Sequence, residues 1–433
     1  MEEPRHEPSA EKDELCREIG FLGSAFLAFN GVVGAGIFAL PETLYARFGT
    51  FSPWLFPLFG GLILLIAVPF ARVASYFPLS GGPVVYAARF GPFAAFQAGW
   101  LYYVARVTAL AANANVFVTY AASLWPPLSA GLPRIATMML LCGGFTVLNV
   151  VGVRRAIRAL DALTLLKAAP LVAMAIYGLV VSAQPVPDFS GLPPLSEVEV
   201  AALLVLYAFV GFENSVVPAG ETADPRRTVP RALIVTVVAT IGLYLLVQLA
   251  YVAVMEPGNG GDAPLVAFGT TLAGSAGGLL LTAAALFSLA GNIGGSMTST
   301  PRATFALAQA GLLPRWFGRV SPRFRTPVNS VLFMGAAGAL LAVTGSFVWL
   351  AVVSTLARMF VYAASIAALP AAQREHEPER SRAGMYLWMA AGLAVCLWGA
   401  SQSEWPAWRM LLALAVAGTL LFAVARGAAF RRG

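Results

Sequence analysis

The chain has 433 residues, 58% of them hydrophobic and only 11% charged, with a mean hydropathy of +0.75 and a formal net charge of +7. A soluble domain of this size carries roughly a quarter charged residues, so an assembly of water-soluble domains is excluded. Cys16, Cys142 and Cys396 form no CxxC pair, and His6 and His376 lie in tail or loop sequence, so neither a metal site, a disulfide framework nor any other cofactor is expected.

The apolar runs follow one another end to end, each about long enough to cross a bilayer. Their backbone must satisfy its own hydrogen bonds in lipid, and alternating ten-residue strands are absent, so they are expected to be helices. Residues 1–20 are a mixed-charge, Glu-rich stretch without the pattern of a signal peptide, and read as a cytoplasmic tail. Twelve spans follow, predicted at 22–46, 51–77, 93–123, 133–152, 158–182, 198–220, 229–255, 272–300, 328–345, 347–370, 385–400 and 406–426. The expected organisation is a transmembrane domain over 21–426 and a short cytoplasmic tail over 427–433.

Loop charge sets the orientation. With a cytoplasmic N-terminus, the inner side collects Arg89, Arg154, Arg155, Arg158, Arg226, Arg227 and Arg231. It also collects Arg315, Arg319, Arg323, Arg325, Arg374, Arg380, Arg382, Arg431 and Arg432. The outer side has Arg47, Arg134 and Arg409 among Asp188, Glu197, Glu199, Glu256 and Asp262. This asymmetry follows the positive-inside rule and places both termini in the cytoplasm. It also accounts for the net positive charge without a nucleic-acid partner.

Two spans are irregular. The first carries Asn30-Gly31-Val32-Val33-Gly34-Ala35-Gly36-Ile37-Phe38, and the sixth carries Tyr207-Ala208-Phe209-Val210-Gly211-Phe212-Glu213-Asn214. Glycine-rich breaks free N–H and C=O groups, which lipid penalises by several kcal/mol each unless they line a cavity or meet a ligand. Five spans separate the breaks, the spacing of two inverted five-helix repeats.

At these residues the sequence resembles the amino acid–polyamine–organocation superfamily of permeases. Gly34-Ala35-Gly36-Ile37-Phe38 is similar to that family's first-helix glycine motif, and Gly220 to Ala232 to its loop between helices six and seven. A third match runs from Gly291 through Pro301-Arg302 and Ala310-Gly311-Leu312-Leu313-Pro314 to Thr326-Pro327-Val328-Asn329. The resemblance implies an all-α integral membrane protein of the leucine-transporter type: a 5+5 inverted repeat over 21–182 and 198–370, plus two peripheral helices over 385–426. It also implies proton-coupled transport of amino acids or related amines across the plasma membrane by alternating access.

The substrate implied is a zwitterion. N–H groups of Gly34, Ala35 and Gly36 at a half-helix N-terminus suit its carboxylate; by the resemblance, carbonyls of Val32, Tyr207, Ala208 and Val210 suit its ammonium. Val104, Thr108, Asn292, Ser296, Ser354 and Thr355 are candidate wall residues, and Tyr207 sits where relatives place an aromatic gate. Ser296 stands where the family's arginine/agmatine antiporters have a large aromatic, and a cation–π clamp on a guanidinium needs that ring. A wall of valine, threonine, serine and asparagine favours a neutral amino acid.

Arg106, Lys167, Glu213 and Arg358 lie within spans, where charge is costly and marks function. Only two of the 28 basic residues are lysine, Lys12 in the tail and Lys167. Lysine can release its proton where arginine cannot, and relatives carry a fifth-helix lysine near helices one and eight, so Lys167 is the expected proton-coupling residue. Glu213 is a second protonatable group or a counter-ion to Arg106 or Arg358, and Arg106 is expected in a buried ion pair, with an acidic side chain of the substrate as the alternative partner. Glu42 and Asp161, near span ends, are expected to be solvated. An amino acid or polyamine exchanger and a transporter-fold nutrient sensor remain as alternatives. A channel lacks its pore-lining charges here, and an enzyme lacks a cluster of catalytic side chains.

Overall fold

The computed structural model describes residues 17–152, 164–182, 192–377 and 383–430. The expectations for His6, Lys12, Cys16, Arg154, Arg155, Arg158, Asp161, Asp188, Arg380, Arg382, Arg431 and Arg432 fall outside them. Every element among the described residues is helical. In chain order they are α1 (Phe21–Val32), α2 (Ala35–Phe48), α3 (Leu55–Tyr76), α4 (Pro83–Ala87), α5 (Pro92–Ala122), α6 (Gly131–Val151), α7 (Thr164–Val181) and α8 (Leu195–Tyr207). There follow α9 (Pro225–Val254), α10 (Pro264–Gln309), α11 (Val328–Thr344), α12 (Phe347–Ala367), α13 (Leu369–His376), α14 (Ala383–Ser401) and α15 (Trp405–Phe430). Prolines open α4, α5, α9 and α10, where the missing N–H costs nothing.

Eight stretches among the described residues are long and apolar enough to cross a bilayer, and three further apolar helices are shorter: Phe21–Val32, Lys167–Val181 and Val328–Thr344. Exposed Leu387, Leu397, Leu412, Val416, Leu420 and Val424 on α14 and α15 present a surface suited to lipid rather than water. α5 is the central post. It packs against both α10 and α12, while α1 packs against α9 and against the turn at Phe212–Ser215.

Two expectations are corrected. The sixth span is not helical through 220: its regular helix ends at Tyr207, and turns with two short 3₁₀ pieces carry the chain to Pro225. The eighth span stands near its expected start: the helical run from Pro264 is interrupted by non-helical backbone at Ala273 and Gly274, where Gly274 has φ +62°. That backbone conformation favours glycine. Glu42 is not merely solvated. Its carboxylate accepts from the N–H groups of Gly258 (2.6 Å) and Gly260 (3.1 Å) and from the Tyr251 hydroxyl (2.5 Å), which pins the α9–α10 loop.

Elsewhere in the loops, Ile19 exchanges backbone bonds with Glu221 (3.0 Å) and Ala223 (2.9 Å), tying the segment before α1 to the loop before α9. Arg72 pairs with Glu377 and Arg89 with Glu375, holding α13 and its C-terminal end against α3 and the turn after α4. The hydrogen bond from Arg89 lowers the Glu375 carboxyl below its ordinary range.

Candidate functional site: two helix breaks around a buried arginine

The first break is short. α1 ends at Val32, Val33 is extended (φ −76°, ψ 96°), and α2 starts at Ala35 after an extended Gly34. A break of this kind leaves carbonyls and N–H groups without intrahelical partners, and side chains of other helices meet them. Asn292 Nδ2 on α10 donates to the carbonyls of Asn30 (2.8 Å) and Gly31 (3.2 Å). The Tyr244 hydroxyl on α9 donates to the Val32 carbonyl (3.3 Å). Lys167 Nζ on α7 donates to the Val33 carbonyl (3.4 Å) and to Asn30 Oδ1, and Ser288 on α10 shares the Val33 carbonyl (3.5 Å). The N–H of Ala35 donates to Asn113 Oδ1 on α5 (3.0 Å).

Glycine lets the two breaks touch. A Cβ on Gly211 would lie 2.2 Å from the Gly31 carbonyl oxygen, and one on Gly31 would lie 2.3 Å from the Gly211 oxygen. Gly211 also needs φ +116°. On the other side of the break, a Cβ on Gly36 would meet Ala208 Cα at 2.8 Å. The glycine at 36 therefore serves contact between the breaks as well as any approach of a ligand.

Beside this contact lies a narrow cavity lined by backbone and side chains of Gly31, Val32, Gly34, Ala35 and Gly36, by Arg106, Ala109 and Asn113, by Tyr207 and Val210, and by Asn292 and Arg358. Its free volume of about 10 Å³ is close to that of one water site, so a solute the size of an amino acid requires the walls to part.

Charge is concentrated on one side. Glu213 is fully buried, and Arg358 is 2% exposed. Arg358 Nε donates to Glu213 Oε1 (2.9 Å), and Glu213 Oε2 accepts from the Tyr362 hydroxyl (2.6 Å) and the Gly211 N–H (2.9 Å). Arg358 also donates to the Ala105 carbonyl (3.3 Å) and to Ser354 Oγ. Arg106, also 2% exposed, donates instead to two hydroxyls, Ser296 Oγ (2.9 Å) and Thr300 Oγ1 (3.4 Å).

Of the predicted wall residues, Val32, Gly34, Ala35, Gly36, Tyr207, Val210 and Asn292 line the cavity. Ala208 backs Gly36 from behind, and Ser296 holds Arg106. Val104, Thr108, Ser354 and Thr355 are buried but not on the lining. The Thr108 hydroxyl bonds the Val104 carbonyl (2.8 Å), that of Thr355 the Ala351 carbonyl (2.8 Å), and that of Ser354 the Ala105 carbonyl (2.8 Å). The face of α5 that reaches the cavity is Arg106, Ala109 and Asn113, at i, i+3 and i+7. Val104 and Thr108 lie on the other side of the helix. An arginine and an asparagine seven residues apart were the sequence signal for the face that lines the cavity. The alternatives for Glu213 also narrow: among the described residues it is the counter-ion of Arg358.

Paired broken spans around a buried polar cavity, in a protein covered with apolar helices, define a multi-pass membrane protein built to handle a small solute. A family model for amino acid permeases matches residues 19–407, and the chain belongs to that family. It is similar to an uncharacterized transporter of Mycobacterium tuberculosis, at 29% identity over 348 residues, 77% of this chain and 75% of the relative. It is also similar to a serine/threonine exchanger of Bacillus subtilis, at 27% over 341 residues, 75% of this chain and 76% of the relative. A third relative is the large neutral amino acids transporter small subunit 2 of Mus musculus, at 28% over 349 residues, 76% of this chain and 65% of the relative. The chain is thus an amino acid transport protein of the amino acid–polyamine–organocation superfamily, and its relatives are transporters rather than enzymes.

Proposed function

We propose that the chain is a secondary active transporter that moves amino acids across the plasma membrane by alternating access. In this reading it has twelve spans, a 5+5 inverted repeat and both termini in the cytoplasm. The observation that carries it is the meeting of the two breaks at Gly31 and Gly211 beside a polar cavity. The substrate carboxylate is assigned to the N–H groups of Gly34, Ala35 and Gly36, where the helix dipole is positive, and the ammonium to carbonyls of the sixth-span break. Tyr207, edge-on to Phe347 at 5.8 Å, is the candidate gate.

Coupling is assigned to protons through Lys167, without sodium. Its Nζ sits on the carbonyl end of α1, where the helix dipole favours a cation. A fixed ammonium at this point supplies covalently the charge that a bound cation would bring. Relative movement of α1 and α7 changes its carbonyl contacts, and by linkage proton binding then biases the inward–outward equilibrium by the same free energy. Exchange is the second reading, favoured by the serine/threonine exchanger among the relatives. A neutral substrate is supported by the names of two relatives, a serine/threonine exchanger and a large neutral amino acids transporter subunit, whereas Arg106 and Arg358 add charge to the lining.

Uptake by purified protein in liposomes tests the coupling. Wild-type uptake should persist when choline replaces sodium and should depend on an inward proton gradient. Lys167→Met and Lys167→Arg should both lose the pH dependence, the first for want of a charge and the second because its proton does not leave. Strict sodium dependence, or an unaltered pH profile in Lys167→Met, would return Lys167 to a purely structural role.

A further inference from the structure

We infer that the cavity selects amino acids whose side chain carries a second carboxylate, with Arg106 as its counter-charge. The inference rests on the transport reading above and names the substrate class of that same site.

Arg106 is nine-tenths and more buried, on the cavity wall, in a protein embedded in lipid. Removing a guanidinium from water is expensive, and proteins normally offset it with a carboxylate and a full set of hydrogen bonds. Among the described residues no carboxylate lies within 4.0 Å of Arg106. The nearby acid, Glu213, is committed: Arg358 takes one oxygen, and Tyr362 and the Gly211 N–H take the other. Arg106 has two neutral hydroxyl acceptors, which use Nε and Nη2, and its Nη1 makes no hydrogen bond among the described residues.

Counting the cavity lining and the acid paired to it, and not Lys167 behind the Val33 carbonyl, the charges are Arg106 and Arg358 against Glu213, an excess of one positive charge. A neutral amino acid is a zwitterion and leaves that excess in place. An acidic amino acid carries one further negative charge and cancels it. The planar fork of arginine also suits a carboxylate in a way that an amide cannot match, since two parallel charge-assisted bonds form only with the anion. Ser296 contributes twice: its hydroxyl fixes Nη2, and its small size leaves the guanidinium room on the wall. The α-carboxylate and the side-chain carboxylate would then be held at separate points, the first at the α2 N-terminus and the second across the cavity on α5.

The test compares acids with their isosteric amides. Thermal unfolding of the purified full chain in detergent is followed with L-glutamate, L-aspartate, L-glutamine, L-asparagine, L-serine and L-leucine added singly, and each is then used as a competitor of uptake in liposomes. Glutamate or aspartate should bind at least tenfold more tightly than its amide. Arg106→Gln should remove that preference, weakening the acid at least tenfold while leaving the amide within about threefold, and Arg106→Lys should retain part of it. Amides that equal or exceed their acids in the wild type would overturn the inference and leave amino acid transport standing. Failure of all six to bind would overturn both. Should Arg106→Gln not fold, the wild-type ratio of acid to amide still decides.

Discussion

Between Asn30 and Ala35 the chain leaves four carbonyls and one N–H to be met by side chains from α5, α7, α9 and α10. Between Tyr207 and Pro225 it turns back on itself instead. Phe209 bonds Leu206, Asn214 bonds Gly211, Val216 bonds Glu213 and Ala219 bonds Val216, all through local backbone. Its buried acid binds outward, through Glu213 to Arg358 and Tyr362 on α12. The first break is thus held by partners on four helices, each of which can exchange its bond for another. The second is a prefolded knot riveted to α12. A transporter needs one wall that rearranges and one that does not, and the pattern of partners assigns the first role to the α1–α2 break.

The sharpest way to break this comparison is at the point where the two breaks touch. Gly211→Val introduces a side chain at φ +116° and drives its Cβ to within 2.2 Å of the Gly31 carbonyl oxygen. Neither backbone can yield without undoing its own partners, so a cost above about 4 kcal/mol is expected. Size-exclusion chromatography of the detergent-solubilised protein should show loss of the monodisperse species. A monodisperse Gly211→Val protein of normal thermal stability would show that the breaks do not meet.

Next in size is the rivet. Removing one member of a buried ion pair leaves the other charge uncompensated, at about 3–5 kcal/mol. Glu213→Leu and Arg358→Met should each approach that loss in thermal stability. The double variant should cost clearly less than the sum, because it strands no charge. Additive losses would mean that the 2.9 Å contact between Arg358 and Glu213 contributes little to the hold on α12.

Much of this arrangement is legible in sequence, because glycine breaks, intramembrane charges and basic loops each follow from what lipid excludes. The positions of both breaks, the four buried ionisable residues and the cavity role of Gly34 to Gly36 all come from that constraint. Two things do not. In a lipid environment α5 is apolar on most of its circumference, so hydropathy does not say whether Val104 and Thr108 or Arg106 and Asn113 face inward. That is decided by the packing of α10 and α12 against the post. Nor does sequence say which arginine Glu213 takes. Arg106 and Arg358 are equivalent by type, and only the packing of α12 on the sixth-span break brings Arg358 to 2.9 Å.

The smallest expected effect concerns a single bond and separates the two breaks most finely. Asn113 Oδ1 accepts from the Ala35 N–H at 3.0 Å, capping α2 from a neighbouring helix. Loss of a side-chain cap typically costs about 1 kcal/mol, and Asn113→Ala should lower the stability of the substrate-free protein by that amount. If the substrate carboxylate takes the same N–H, it displaces Asn113 whenever it binds, and the bond is absent from the bound state of both proteins. The deficit should then vanish at saturating substrate, since only the free state ever had the bond. By the same cycle the variant should bind about fivefold more tightly, the factor equivalent to 1 kcal/mol. Thermal unfolding with and without substrate reads both quantities in one experiment. A deficit that persists unchanged at saturation would leave Asn113 bonded to Ala35 throughout, and would move the carboxylate away from the first break.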